Sequence, residues 1–323
     1  MQKYSHLNAI LSPCVPAFPQ QNSRVSTAIH IPVLLAEVLH VLHPQEGEAV
    51  LDATLGLGGH SAAFLDAIGE KGTLVALDAD EQNLADAKAA LQGKPGNAHY
   101  LHRNFRDVQG LPSPLFDVIF ADLGVSSPHF DDPVRGFSFR ADAPLDMRFD
   151  RSSGMTASQF IRIATEQELV EMFRMYGEFP GARRLASLLK AQLPETTSAL
   201  RSIVETAYGF RAPSILPQVF QALRIAVNDE IGALKSFLET APTLLRPGGR
   251  LGIISFHSLE DRLVKQCFRT LTTAEVDQHT GAPLQEPDFL LPQRKPISAS
   301  AEEAHQNPRS RSAKFRSITR RLP

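Results

Sequence analysis

From His30 the apolar positions recur at helical spacing: Val33, Leu34, Val38, Leu39 and Leu42 share a face, Pro32 suits a first turn and Pro44 closes the run. The pattern then changes to short apolar runs separated by helical stretches. AVLDA (49–53), TLVALD (73–78), AHYLHRNF (98–105) and FDVIFADLG (116–124) read as buried strands, with helices after Gly59 and over EQNLADAKAALQ. Strands alternating with helices predict a doubly wound, mostly parallel α/β sheet. From Asp131 to about Pro217 that rhythm stops, and TASQFIRIATEQELVEMFRMYG, ARRLASLLKAQL and ALRSIVETAYGF predict three amphipathic helices. Sheet logic resumes with one long helix, QVFQALRIAVNDEIGALKSFLETAPTLL, the turn RPGG, the strand RLGIISF, the helix SLEDRLVKQCFRTL, and KFRSITR as an edge strand. The expected organisation is a discontinuous α/β domain over 28–130 and 217–323, carrying a helical domain inserted at 131–216. Residues 1–27 have no period and predict a flexible extension. The Pro, Gln, Ser and Ala content of 277–308 predicts a long loop.

Composition narrows the class. No run approaches the roughly 18 apolar residues of a membrane span, and prolines interrupt the opening segment where a signal peptide needs a continuous apolar stretch, so a cytoplasmic protein without membrane contact is expected. Cys14 and Cys267 are too far apart to form a metal-ligand pair, and no metal site is expected. A net charge of −2 gives no global case for nucleic acid, so local charge must carry it. The tail from Arg309 to Pro323 supplies Arg309, Arg311, Lys314, Arg316, Arg320 and Arg321 without an acid, either as an RNA clamp or as a solvated end.

The first strand runs into Thr54-Leu55-Gly56-Leu57-Gly58-Gly59-His60-Ser61 and then a helix. Glycines there allow positive φ and close backbone approach, and the first helical N–H groups stay available to a ligand. Asp78 ends the second strand 22 residues past Gly56, where a carboxylate can accept hydrogen bonds from both hydroxyls of a ribose. The spacing is Gly-x-Gly-Gly rather than Gly-x-Gly-x-x-Gly, and no basic residue follows closely, so a pyrophosphate would lean on the helix terminus alone. Asp52, Asp78 and Asp122 fall at or near predicted strand ends, a rim suited to the sulfonium of S-adenosylmethionine. Phe105 offers a face to an adenine, or a core contact.

HIPVLLAEVL, LDATLGLGGHS, DLGVSSPHFDDPVRGFSFRADAPLDMRFD, FQALRIAVNDE, LRPGGRLGIISFHSLEDRLVK and NPRSRSAKFR together resemble the bacterial 16S rRNA cytosine-N(4) methyltransferase family (RsmH/MraW), in order, from about His30 to Arg320. The resemblance implies a class I S-adenosylmethionine-dependent methyltransferase domain with an inserted helical domain, acting on a cytidine of the decoding centre of 16S rRNA within the small ribosomal subunit. It implies that Gly58, Gly59 and His60 line the methionine end of the donor, Asp78 holds the ribose, Phe105 lies against the adenine, and Asp122 and position 129 close the pocket. Two residues depart from the family's pattern. His129 stands where a glutamine is common, making that contact sensitive to protonation near neutral pH. Gln218 stands where many relatives have an arginine.

Methyl transfer to an amine is a direct displacement, in which alignment and exclusion of water dominate. Asp122, or the carbonyls of Leu123 and Gly124, would accept hydrogen bonds from the amino group and favour its reactive form. Methylation at ring carbon 5 needs an attacking thiolate, and neither cysteine is placed for it. A serine hydrolase lacks its Gly-x-Ser-x-Gly elbow. Arg135-Gly136-Phe137-Ser138-Phe139-Arg140 interleaves aromatics and arginines, as a surface that stacks unpaired bases does, though Phe137 and Phe139 serve equally as anchors of the inserted domain. Ser126, Ser127, Asp146, Arg148 and His257 complete the candidate substrate pocket. A small-molecule methyltransferase and, on the same sheet, an NAD-dependent oxidoreductase are the competing readings. The sequence leaves open a homodimer.

Overall fold

A computed structural model describes residues 32–111, 113, 115–277, 279 and 284–323; the extension 1–27 and part of the expected loop after 277 lie outside them. Seven strands form one sheet: β1 (Ala49–Asp52), β2 (Thr73–Asp78), β3 (Asn97–His102), β4 (Phe116–Asp122), β5 (Leu245–Ser255), β6 (Phe289–Leu290) and β7 (Lys314–Arg320). Their order is β3-β2-β1-β4-β5-β7-β6. β1 to β5 pair in parallel, while β7 runs antiparallel to both neighbours. KFRSITR is therefore not the outermost strand, because the two residues of β6 pair with its last two, Thr319 and Arg320.

Alternate residues of each strand point to opposite faces. Val50, Leu74, Val118, Phe120 and Ile254 pack beneath α1 (Leu35–Leu42), α2 (Gly59–Ile68) and α3 (Glu81–Ala90). Leu51, Val75, Ile119 and Ile253 join the opposite core. Burial on both faces is why these strands read as unbroken apolar runs.

After β4 come α4 (Ser127–Asp131) and then a helical cluster of α5 (Ala157–Ile163), α6 (Glu166–Met172), α7 (Ala182–Gln192), α8 (Thr197–Tyr208) and α9 (Ala212–Asn228). Its core runs from Phe137 to Leu223. The first expected helix is split: Thr165 caps α6, accepting from the Glu168 N–H at 3.2 Å while Glu168 accepts the Thr165 N–H at 2.8 Å. The long expected helix begins earlier and breaks at Asp229, a residue with φ 46°, into α9 and α10 (Glu230–Thr240). The expected domain boundary at 216/217 thus falls inside α9. α11 (Ser258–Leu271) follows β5, and the stretch expected as a loop holds β6 and α12 (Ala301–Gln306). At the entrance to the helical cluster, Gly136 has φ 74°, and a Cβ there would lie 2.4 Å from the Pro144 carbonyl oxygen, so only glycine lets the two chain segments cross.

The basic tail is largely neutralised rather than free. Lys314 and Arg316 both contact Asp261, at 3.2 and 2.7 Å, Arg309 reaches Asp131 and Arg321 reaches Glu286. Such pairing weakens the reading of the tail as an RNA clamp. No helix among the described residues is long and apolar enough to cross a membrane.

Candidate functional site

A cleft opens at the carboxyl ends of β1, β2 and β4, walled by the turn after β1, by Asp78, by Phe105 and by the segment Asp122–Ser126. This is the edge at which open α/β sheets bind ligands. Gly56 (φ 54°) turns the chain into the cleft, and Gly59 lies so close to Pro32 that a Cβ would meet its ring at 2.4 Å. Gly58 does not line the cleft as expected. It packs against Leu91 and Ala87, where a Cβ would come within 3.0–3.4 Å of both side chains. Buried His60 contacts the Val33 carbonyl through Nε2 at 3.0 Å, which puts the proton on that nitrogen, and its Nδ1 lies 3.9 Å from Asp122 Oδ2.

Asp78 is tied on both oxygens. Oδ2 accepts the Gly56 N–H and Oδ1 the Asp80 N–H, each at 2.8 Å, so one carboxylate fixes both the glycine turn and the start of α3. Phe105 presents one face to the cleft and meets Phe237 edge-on at 5.6 Å. Asp52 departs from the expected acidic rim: it is buried beneath the turn, accepting from Ser61 Oγ at 2.6 Å and from the Thr54 N–H at 3.1 Å. The Asp122 N–H donates to Thr54 Oγ1 at 2.6 Å, while its Oδ1 is buried without a hydrogen-bond partner.

His129 lines the cleft, but its ring nitrogens are turned to the protein. Its Nδ1 accepts the Ser126 N–H at 3.1 Å and its Nε2 lies 2.8 Å from Asp80, so both nitrogens are engaged and neither is left for a ligand. Burial moves its pKa down, and the ring stays neutral near pH 7 instead of switching there. Asp80 also accepts from Arg135 at 2.6 Å. Burial opposes ionisation of Asp80, but the His129 hydrogen bond and the Arg135 guanidinium win and hold it at about 2. Asn83 Nδ2 joins the same group through Ser126 Oγ at 3.0 Å.

The aromatic segment is an anchor. Phe137 is buried and stacks on Phe149 at 5.7 Å, and Phe139 packs edge-on against Phe220 at 5.3 Å. Burial leaves Phe137 no free face for a base. Arg135 is buried too, so it holds no phosphate. Arg148 is held by Asp146 at 2.7 and 3.0 Å and braces the carbonyls of Arg151 and Ser153, away from the cleft, which Phe149 lines instead. Ser127 opens α4. His257 caps α11 behind the cleft wall, and the neighbour that reaches the cleft is Glu260.

The model of the MraW methylase family matches residues 27–321. The chain belongs to that family. It is 45% identical over 306 residues to the ribosomal RNA small subunit methyltransferase H of Thermomicrobium roseum, covering 90% of this chain and 93% of that protein. The protein of the same name from Cyanothece sp. is 46% identical over 291 residues, covering 89% and 93%.

S-adenosylmethionine is the donor of a methylase of this family, and the cleft's residues fit it. Burial pushes Asp78 up to about 7, and burial with Asp52 and Glu260 nearby drives Asp122 well above the usual carboxylate range. Carboxyls short of positive charge favour a cationic ligand, which restores their ionised forms. A ligand that prefers ionised Asp78 must displace its proton. Donor binding is therefore expected to release protons at pH 6.5 and to tighten as pH rises towards 7, levelling off above about 7. Calorimetry in two buffers of different ionisation enthalpy reads this directly; a binding heat independent of buffer would contradict it.

Sequence reading missed the polar wall opposite the glycine turn. Asn228, Glu230 and Glu260 line it, brought together by the break between α9 and α10 and by the first turn of α11. Both oxygens of buried Glu230 are taken by Arg224, at 2.7 and 2.9 Å. An acid three residues after a helix cap reads as a capping residue, and that is how Glu260 escaped notice.

Proposed function

We propose that this methylase transfers a methyl group from S-adenosylmethionine to the exocyclic 4-amino group of a cytidine in the decoding centre of 16S rRNA, within the small ribosomal subunit, by direct displacement without a covalent enzyme intermediate. The observation that carries the reading is Asp122, which ends β4 on the cleft beside Leu123 and Gly124 with one carboxyl oxygen buried and unpartnered. The names of the relatives support an acceptor in small-subunit rRNA.

The donor supplies an electrophilic methyl group. The rest is done by this chain: Gly56 and Gly59 let the backbone approach, Asp78 holds hydroxyls, Phe105 offers an apolar face, and Asp122 with the Leu123 and Gly124 carbonyls accepts the amino hydrogens. Reaching the amine requires the base to leave its stack. The alternative at ring carbon 5 finds no nucleophile among the described residues: burial pushes the Cys267 thiol up to about 11, and its sulfur faces the Leu238 carbonyl.

Incubation of small ribosomal subunits with labelled donor, followed by mass mapping of the RNA, tests acceptor, atom and position together. One 4-methylcytidine is expected. Asp122→Asn is expected to lower turnover more than about tenfold at saturating donor, the order of one preorganised catalytic hydrogen bond or less. A loss of donor affinity alone would leave Asp122 a binding residue.

A further inference from the structure

Glu260 is a charged side chain that the donor site does not use. It is 3% exposed, yet it forms part of the cleft wall that also holds Asp122. Its Oε2 accepts the Phe256 N–H at 2.8 Å and the His257 N–H at 3.3 Å, which fixes the carboxyl in one orientation. Its Oε1 lies 3.1 Å from the Nε2 of His257, whose side chain is itself 9% exposed. Acids in the first turn of a helix ordinarily stand in solvent, where they interact with the helix dipole at no desolvation cost. This one is buried at the cleft.

We propose that Glu260 takes the proton released from the cytidine 4-amino nitrogen during methyl transfer, with His257 beside it favouring the ionised carboxylate. The inference rests on the function proposed above. The nitrogen lone pair forms the new C–N bond and the electron pair of the broken C–S bond stays on sulfur, leaving the nitrogen cationic. One N–H bond of that nitrogen then breaks, its electron pair returning to nitrogen, and the proton bonds to Glu260 Oε1. The protonated carboxyl gives the proton up to solvent when the product leaves, which restores the carboxylate.

The surroundings divide the work between the two carboxyls on this wall. Burial opposes ionisation of Glu260, but the His257 ring, the Phe256 N–H and the Arg224 charge hold it below the usual carboxylate range, while Asp122 is driven above it. Before the donor binds, the two carboxyls are thus pushed in opposite directions, and Glu260 is the one whose surroundings favour its charge without help from a ligand. The charged and titratable groups facing Glu260 are Asp122 from β4, Arg224 from α9, Glu230 from α10 and His257 at its own cap. Arg224 already occupies both oxygens of Glu230, so Glu260 is the carboxylate of the pair left to accept a proton.

The test is Glu260→Gln in the full chain, since a glutamine oxygen can still accept the Phe256 N–H. Donor affinity by calorimetry is expected to stay within about twofold. Single-turnover formation of 4-methylcytidine on small subunits is expected to fall roughly a hundredfold, the usual contribution of a positioned base, and the acid limb of the wild-type pH–rate profile is expected to disappear. In donor-free protein at pH 6, the infrared difference between wild type and variant is expected to show the loss of an ionised carboxylate. Glu260→Asp keeps the charge and is expected to restore part of the rate together with the acid limb, which also covers a glutamine variant that folds poorly. A wild-type rate and pH profile in the glutamine variant, or a protonated carboxyl in the infrared difference, overturns the assignment while 4-methylcytidine from the wild type keeps the function. Methylation of a different atom by the wild type overturns both.

Discussion

Replacing Asp78 with asparagine is expected to weaken donor binding by about two to three orders of magnitude, with little change in melting temperature. Each carboxylate oxygen of Asp78 already takes one backbone N–H, from Gly56 and from Asp80. Asp78 also lines the cleft, where the ribose hydroxyls are proposed to donate to it. An asparagine matches the shape but must point its NH₂ group at one of the two N–H donors, so one tether of the glycine turn becomes a donor–donor contact. It also removes the charge from whatever hydrogen bonds the ligand makes. Hydrogen bonds to charged groups contribute about 1.5–3 kcal/mol each, and losing the charge under two of them accounts for about 3–4 kcal/mol. The fold loses less, because burial already disfavours the ionised form of Asp78. Calorimetric titration with the donor and with its demethylated product checks this. Affinities within threefold of wild type would mean that Asp78 shapes the turn and does not touch the ligand.

How much of this was legible in the sequence depended on the range of the interactions involved. The parallel sheet was legible because burial on both faces leaves unbroken apolar runs, and the cleft was legible because Gly56 and Asp78 occupy fixed places relative to strand ends. The break between α9 and α10 was not. The break at Asp229 is a single residue with positive φ inside a continuous amphipathic pattern, and no glycine or proline marks it. Phe137 and Phe139 could not be assigned either, because aromatics between arginines look the same whether they meet bases or meet Phe149 and Phe220. Only the partner decides, and for Phe139 the partner lies in α9. The same limit governed His129: its nitrogens are used up by Ser126, three residues away, and by Asp80, which the fold brings from the end of β2. Glu260 was hidden by its own double place, since the residue that caps α11 is also one that lines the cleft. The capping pair Thr165–Glu168, by contrast, carried a readable local signal and splits a helix that periodicity alone had joined.

The largest loss of stability is expected from Arg135→Met. The Arg135 guanidinium, 6% exposed, bonds Asp80 Oδ2 at 2.6 Å and the carbonyls of Arg148 and Phe149 at 2.9 and 3.0 Å, joining the start of α3 to the segment that enters the helical cluster. Methionine fills much of the aliphatic volume but leaves Asp80 with the neutral His129 as its remaining side-chain partner and strips both carbonyls of their donor. Breaking one side of a buried ion pair costs about 3–5 kcal/mol, because the surviving charge has lost its compensation. The pH dependence identifies the cause. In the wild type Asp80 is held at about 2, below its ordinary value, so its contribution to stability is present above about pH 4 and is lost as pH falls towards 2. Without Arg135 that depression shrinks, and the part of the difference carried by the ion pair should be full at pH 7 and cut to about half at pH 3, where the carboxyl is largely protonated in the unfolded chain. Asp80→Asn added to Arg135→Met removes the stranded charge and is expected to recover part of the loss. Denaturant unfolding of the three proteins at both pH values decides it. An equal loss at pH 7 and pH 3 would assign the effect to packing and the carbonyls, with no contribution from the ion pair that couples the cofactor wall to the inserted helices.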